Sequence, residues 1–269
     1  MKRYISAAVC GNIGRGRGNN EDNFYFNGEF LTEATRENPA DIEFVCHDKR
    51  QFYAVCDGMG GEQLGELASL LAAQTLHKYA GFLKSNPDKN IDEYMDGCIT
   101  EANKVIFEAQ KERGVKRIGT TMAVFAYENS MTCLYNVGDS RTYLLRGGKL
   151  RQLSEDDTAV ANMVKLNIIT PEQAKTHPRR NSLTQYVGID PEEMVIEAHK
   201  SFIKMKNGDI FLLCSDGLSD VLGEADMTSI ITENERPLDM AKNLVGEALR
   251  REGKDNITAV ALKYTCKLW

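Results

Sequence analysis

Residues 120–153 contain four short apolar or alternating runs that are separated mainly by turn residues. The runs are 120–127, 131–137, 141–146 and 149–153. Only Glu-Asn-Ser at 128–130 and Gly-Gly at 147–148 lie between two of the neighbouring pairs. Connections this short join antiparallel strands, because a parallel crossover needs about a dozen residues or more. The segment therefore predicts an antiparallel sheet.

The rest of the chain adds strands and a few helices. Further strand candidates are 5–10, 23–30, 42–46, 52–56, 195–203, 210–215 and 257–264. Three segments instead repeat apolar residues at helical spacing, at 63–79, 91–112 and 237–251. Sheets and amphipathic helices bury their apolar faces against each other in layers. The sequence therefore predicts an α+β fold of two packed antiparallel sheets with helices on the outside.

Neither an internal repeat nor a low-complexity linker divides the chain, so we expect a single domain over residues 1–269. Two insertions interrupt the strand pattern. Residues 31–50 have weak periodicity, whereas residues 155–183 predict two short helices. The second of these helices has Thr170 as its N-cap and Pro171 in its first turn. Residues 155–183 are either a flap beside a functional site or a surface decoration.

Composition and charge limit the compartment and the partners. With 42% hydrophobic and 27% charged residues and no run of about twenty apolar residues, the chain is not expected to enter a membrane. The N-terminal apolar stretch is too short for a signal peptide. A net charge of −6 with scattered basic residues disfavours nucleic acid. Seven cysteines without a CxxC pair suit a reducing compartment, and we expect a cytoplasmic monomer.

Acidic residues mark the ends of several predicted strands. Two apolar runs continue directly into Asp-Gly, at Asp57 and at Asp216. Glu21-Asp22 and Asp255 stand just before two other strand-like runs. One Asp-Gly pair alone is ordinary turn chemistry. Carboxylates at several strand ends, however, predict one shared site.

Such a group of carboxylates favours a hard divalent cation, Mg²⁺ or Mn²⁺, because these ions prefer oxygen ligands and because the carboxylates would otherwise repel each other. Two ions can activate a water for in-line attack on phosphorus. The sequence has no cysteine-phosphatase loop, no GxSxG elbow and no GxxxxGK loop. Arg17 offers the planar donor fork that binds phosphate, although a solvated loop arginine is the alternative.

Seven segments, in this order, resemble the metal-dependent serine/threonine phosphatases of the PP2C (PPM) family, most closely the bacterial single-domain members. They are RGNNED at 17–22, DGMGGEQLGELAS at 57–69, GTTMAV at 119–124, NVGDSRTYLL at 136–145, ITPEQAKTHPRRNSLTQYVG at 169–188, CSDGLSDVL at 214–222 and DNIT at 255–258. The resemblance covers nearly the whole chain. It implies an α/β/β/α sandwich with a metal cleft at one end of the two sheets and residues 155–183 as a flap beside it.

The resemblance also implies a metal centre of two Mn²⁺ or Mg²⁺ ions in a core site. Asp57 would bridge both ions. The carbonyl oxygen of Gly58 and the carboxylate of Glu21 would complete the coordination of one ion. Asp216 and Asp255 would hold the other.

Three further roles follow from the same resemblance. Asp22 would support a metal-bound water, and Arg17 would grip the substrate phosphate. Asp139 together with Asp216 would hold a third, weaker ion, although Gly-Asp at this position also fits a turn. The implied catalytic set is therefore Arg17, Asp22 and Asp57.

Two positions depart from the family pattern. Many animal relatives have DGHGG, with a histidine proposed as general acid, where this chain has Met59. A thioether cannot donate a proton, so water would have to serve instead. Related bacterial sequences usually have arginine at the position of Gln185. The loss of that charge affects how the flap side meets the substrate.

The function that the sequence predicts is hydrolysis of phosphoserine and phosphothreonine on proteins, by a metal-bridging hydroxide that attacks phosphorus in line. The partners are then phosphorylated protein substrates, expected to be those of a serine/threonine kinase. Two other hypotheses remain open. One is a catalytically silent phosphatase-like module that binds a partner through its flap. The other is a two-metal phosphodiesterase or nucleotide hydrolase, which the acidic charge disfavours.

Overall fold

The computed structural model describes residues 2–36, 41–60 and 64–267. The strands in this part of the chain are β1 (Lys2–Asn12), β2 (Asp22–Phe26), β3 (Ile42–Cys46), β4 (Arg50–Gly60), β5 (Ile118–Thr120), β6 (Met122–Glu128), β7 (Met131–Val137), β8 (Arg141–Arg146), β9 (Lys149–Gln152), β10 (His199–Lys204), β11 (Ile210–Cys214) and β12 (Ile257–Lys267). The helices are α1 (Gly65–Ser85), α2 (Ile91–Arg113), α3 (Ala159–Lys165), α4 (Pro171–Lys175), α5 (Asp216–Ser219), α6 (Glu224–Glu233) and α7 (Pro237–Arg250).

Two sheets organise these elements. The first sheet has the strand order β3-β1-β12-β11-β8-β9, and the second has the order β10-β7-β6-β4-β2, with β5 paired to the end of β4. Neighbouring strands in both sheets run antiparallel. The prediction of antiparallel pairing from the short turns is therefore confirmed.

Apolar side chains fill three layers between the elements. Phe125 of the second sheet and Phe211 of the first meet between the sheets with ring centroids 5.0 Å apart. Helices α1 and α2 pack on the outer face of the second sheet, and α6 and α7 on the outer face of the first. The predicted α+β fold, an α/β/β/α sandwich, is confirmed. Among the described residues, none of the helices has both the length and the apolarity needed to cross a membrane.

Most of the predicted segments are present, and their boundaries differ for identifiable reasons. The strand expected at 23–30 ends at Phe26, because Asn27 and Gly28 adopt positive φ and turn the chain. The strand expected at 195–203 begins only at His199. The backbone of Glu197 bonds instead to the side chain of Gln185, at 2.9 Å and 3.0 Å.

Differences of a second kind concern helices. The first helix extends to Ser85, beyond the expected 63–79, and residue 63 lies outside the described part of the chain. Helix α6 has no counterpart in the sequence prediction. Its buried side chains, Met227 and Ile231, are too few to give a strong periodic signal.

The sheet register brings the acidic strand ends to one end of the sandwich. Asp22 in β2 lies directly opposite Asp57 in β4. In the first sheet, Cys214 at the end of β11 pairs with Ala259 near the start of β12. Asp216 and Asp255 lie just outside this pair of strand ends, so packing the sheets face to face gathers the carboxylates.

Candidate metal centre

Asp22 is the carboxylate that ties the two sheets together. Its side chain is fully buried, and Oδ2 accepts hydrogen bonds from Ser215 Oγ and Thr258 Oγ1, both at 2.7 Å. Oδ1 is buried and has no hydrogen-bond partner among the described residues. A buried carboxylate oxygen without a donor is costly. It is therefore a candidate acceptor for a water or a cation.

Asp57 is held through its backbone on both sides. Its N–H donates to Thr121 Oγ1 at 2.9 Å. Its carbonyl oxygen accepts from Thr121 N and Thr120 Oγ1, both at 2.9 Å. The side chain itself is partly exposed. The sheet thus fixes the position of Asp57, while its carboxylate stays available to a ligand.

Gly58 and Gly65 allow three backbone segments to converge beside Glu21. Gly58 N donates to Glu21 O at 3.1 Å. A Cβ atom on Gly58 would lie 2.0 Å from Gly65 O and 2.6 Å from Glu21 O. A Cβ on Gly65 would lie 2.9 Å from Glu21 Oε1. Glycine is required at both positions, because any side chain would separate the Glu21 carboxylate from the end of β4.

Arg17 contacts Asp255 through one edge of its guanidinium, with two donors. Nε donates to Oδ1 and Nη2 to Oδ2, each at 2.8 Å. The two side chains are 47% and 37% exposed, so solvent screens the pair. The bidentate geometry is the one in which arginine also binds a phosphate.

Asn256 fastens the loop that carries Arg17 and Glu21. The Asn256 side chain is buried and fully bonded: Nδ2 donates to Ile13 O at 2.8 Å and Asn19 O at 2.9 Å. Its Oδ1 accepts from Glu21 N at 2.7 Å. A single amide next to Asp255 therefore sets where residues 13–21 run.

Burial and mutual repulsion act on the carboxylates in the same direction. Burial is the largest cause that raises the pKa of Asp22, Asp57, Asp139 and Asp216 above the ordinary range of aspartate, and the charges of neighbouring aspartates add to it. At Asp22 the hydrogen bonds from Thr258 and Ser215 act against this rise in pKa. Burial also raises the pKa of Glu21, against the lowering effect of Arg17. A cation placed among these groups would reverse the repulsion.

The structure brings all the sequence-predicted residues to one end of the sandwich. Asp139 lies beside this group, because Oγ of its neighbour Ser140 is 2.6 Å from Thr121 Oγ1, the oxygen that accepts from Asp57 N. As they stand, the described residues contain no set of three His, Cys, Asp or Glu side chains arranged to hold an ion. The Asp255 carboxylate is hydrogen-bonded to Arg17 instead, and the Asp22 carboxylate is hydrogen-bonded to Ser215 and Thr258. The candidate ligand atoms nevertheless fit a hard cation, since all of them are oxygens. One of them, the buried Oδ1 of Asp22, accepts no hydrogen bond from the described residues.

The expected flap is anchored to the turn that carries Asp139. Asp157 Oδ2 accepts from Gly138 N at 2.9 Å and from Gln185 Nε2 at 3.0 Å, while its Oδ1 lies 2.8 Å from His199 Nε2. We name these contacts the flap anchor. Gln185, one of the two departures from the family pattern, is thus a structural link between the flap and β10.

We expect Asp157→Ala to destabilise the protein by about 2–3 kcal/mol, because it leaves a buried backbone N–H and two side chains without their acceptor. Urea unfolding measures this directly. Glu192→Ala, an exposed acidic residue in the same region, is the matched control. Equal unfolding free energies of the two variants would show that the flap anchor does not stabilise the protein.

Sequence reasoning missed several residues that build the site, although most lie inside the motifs it used. Ser215 and Thr258 fix Asp22, Thr120 and Thr121 fix Asp57, and Asn256 fixes the loop. The available signal was their place in the motifs CSDG and DNIT beside an aspartate, and in the motif GTTMAV, which contains no acidic residue.

Comparisons with known proteins agree with this architecture. The family described as Protein phosphatase 2C matches residues 40–251. The chain is 31% identical over 225 residues to the serine/threonine phosphatase stp of Listeria innocua, an alignment that covers 82% of this chain and 87% of the relative. The chain therefore belongs to the protein phosphatase 2C family.

Solved structures show the same fold. The serine/threonine phosphatase PstP/Ppp of Mycobacterium tuberculosis superposes with a TM-score of 0.80 at 29% identity, over 97% of this chain and 98% of the other. A structure of the PstP catalytic domain in complex with two manganese ions superposes with a TM-score of 0.79 at 27% identity, over 98% and 100% of the two chains.

Proposed function

We propose that this chain is a metal-dependent protein serine/threonine phosphatase that hydrolyses phosphoserine and phosphothreonine esters on proteins. The observation that carries the proposal is the group of carboxylates around Asp57 at one end of the two sheets, with the Arg17 fork beside it. Family membership supports the same activity.

We assign the metal roles as the sequence predicts them. Asp57 would hold both Mn²⁺ or Mg²⁺ ions, the Gly58 carbonyl and Glu21 would hold one of them, and Asp216 and Asp255 would hold the other. When bound, the two cations lower the pKa of water and neutralise charge on the phosphate. The manganese-containing PstP structure supports two ions of this kind.

Three residues of the chain complete the assignment. Asp22, buried and held by two hydroxyl groups, orients a water through its unpartnered Oδ1. Asp139 with Asp216 would hold a third, weaker ion. Arg17 positions the substrate, because the donor fork that now meets two oxygens of Asp255 can meet two phosphate oxygens in the same way.

Proton transfer to the leaving serine or threonine oxygen falls to water. Met59 follows Gly58 in β4 and its thioether has no proton to give.

In the whole protein, residues 1–269 then work as one phosphatase domain, in the cytoplasm and as a monomer, and oppose a serine/threonine kinase. The net charge of −6 supports a protein partner over nucleic acid.

A side-by-side assay separates this function from its alternatives. Phosphate release from a phosphothreonine peptide, hydrolysis of a bis-phosphodiester and hydrolysis of a nucleotide are measured with Mn²⁺. We expect turnover on the peptide to dominate. Faster turnover on the diester or nucleotide would favour the phosphodiesterase hypothesis. No turnover on any of them, together with no Mn²⁺ binding by calorimetry, would favour the silent binding module.

For Arg17→Ala we expect kcat/KM on the phosphothreonine peptide to fall by about 10- to 100-fold, the value of one charge-assisted bidentate contact. Arg17→Lys should recover part of the loss, because it restores the charge but not the fork. Arg15→Ala removes an exposed arginine from the same loop and is the control. Equal rates for Arg17→Ala and Arg15→Ala would remove Arg17 from the site.

A further inference from the structure

Tyr186 lies against the edge of the candidate metal centre. A Cβ atom on Gly119 would be 2.3 Å from Tyr186 Cδ2 and 3.0 Å from Met59 Cε, so the ring and the thioether methyl group meet over Gly119. Thr120 and Val187 exchange two backbone hydrogen bonds, at 2.9 Å and 2.8 Å. The segment that follows the flap is thereby paired to β5, and the position of the Tyr186 ring is fixed.

Arg117 lies over this ring. Its guanidinium carbon is 4.4 Å from the ring centroid of Tyr186, within the range of a cation–π contact. Arg117 and its neighbour Lys116 are both exposed. Within residues 2–36, 41–60 and 64–267, no carboxylate lies within 4 Å of the Arg117 guanidinium nitrogens. The ring therefore orients a cation that has no acidic partner in this part of the chain.

The strand register places this cation at the rim of the cleft. Gly58 pairs with Thr120, Met59 with Gly119 and Gly60 with Ile118. Tyr186 therefore contacts the Met59–Gly119 pair, which is one residue further along β4 than Gly58. Arg117 directly precedes Ile118, the first residue of β5. When the phosphate of a protein substrate lies at Asp57, we expect the residues that flank the phosphorylated residue to extend along this rim.

We infer that Arg117, stacked on Tyr186, recognises an acidic side chain of the protein substrate beside its phosphorylated residue. We call the surface formed by Met59, Gly119, Tyr186 and Arg117 the Arg117 shelf. The inference rests on the proposed phosphatase function and adds a substrate preference to it. Such a contact favours acidic substrates, which the net charge of −6 of the protein otherwise repels. Stacking limits the freedom of the guanidinium before binding, which lowers the entropy lost on contact.

The test compares two phosphothreonine peptides that differ only in glutamate against glutamine next to the phosphorylated residue, on either side. For Arg117→Ala we expect kcat/KM on the glutamate peptide to fall by about 3- to 10-fold, mainly through KM, as suits one partly exposed charge-assisted contact. The glutamine peptide and para-nitrophenyl phosphate should change less than about twofold. Tyr186→Phe should behave as wild type, whereas Tyr186→Ala should lose part of the preference.

Arg151→Ala, which removes an exposed arginine from β9, is the matched control for net charge. Equal losses on both peptides in Arg117→Ala, or the same loss in Arg151→Ala, would overturn the inference. A wild-type kcat/KM on the glutamate peptide in Arg117→Ala would also overturn it. A wild-type protein that hydrolyses neither peptide nor para-nitrophenyl phosphate with Mn²⁺ would instead reject the proposed function, and the inference with it.

Discussion

Asp57→Asn is expected to lower kcat on a phosphothreonine peptide by more than about 10³-fold and to abolish tight Mn²⁺ binding in calorimetry. The change keeps the shape of the side chain and removes only the charge that we assign to both ions. The backbone contacts of residue 57 with Thr120 and Thr121 are unaffected, because they do not involve the side chain. A loss of activity would therefore report on the site rather than on the fold.

The same variant should be more stable than wild type in EDTA. Burial and the charges of Asp22, Asp216, Asp139 and Asp255 raise the pKa of Asp57, which means that the folded state disfavours its charge. Removing the charge relieves that repulsion, so the Tm without metal should rise while the increase in Tm caused by Mn²⁺ should disappear. Asp88→Asn, an exposed aspartate between α1 and α2, is the control. A lower metal-free Tm for Asp57→Asn would contradict the picture of a repulsive cluster.

The second large effect is expected for Asn256→Ala. The substitution leaves Ile13 O, Asn19 O and Glu21 N without their partner, and we expect it to cost about 2–4 kcal/mol of unfolding free energy. Activity should also fall, by about 10²-fold, because the loop with Arg17 and Glu21 is no longer fixed relative to Asp57.

Chemical unfolding and peptide turnover below the transition measure these two losses separately. Asn243→Ala, at an exposed asparagine of α7, should change neither. Asn256→Asp offers a sharper comparison, since it keeps the acceptor for Glu21 N but loses both donors. Full activity in Asn256→Ala would show that residues 13–21 keep their conformation without the Asn256 side chain.

Local patterns were sufficient to predict most of the strands, since apolar alternation and tight turns are properties of neighbouring residues, but β5 had no separate counterpart. The end of β2 and the start of β10 were not predictable in this way. The first depends on positive φ at Asn27, and the second on the side chain of Gln185 taking the backbone bonds of Glu197.

Some residues of the candidate site were likewise predictable from local sequence, whereas others depend on contacts between distant segments. Asp57 and Asp216 are visible because each ends an apolar run with Asp-Gly. The hydroxyl groups that hold Asp22 belong to Ser215 and Thr258, which are 193 and 236 residues away in the chain. The contact of Arg117 with Tyr186 likewise joins segments that only the pairing of Thr120 with Val187 brings together. Contacts of this range follow from sheet register and packing, which a single sequence does not specify.

The most direct test of the central claim is release of phosphate from a phosphothreonine peptide by the wild type with Mn²⁺, by the wild type with EDTA, and by Asp216→Ala with Mn²⁺. We expect turnover only in the first case, because Asp216 lies beside Asp57 and is assigned to the same centre. Turnover that persists in EDTA, or a wild-type rate in Asp216→Ala, would contradict a metal-dependent phosphatase built on these carboxylates.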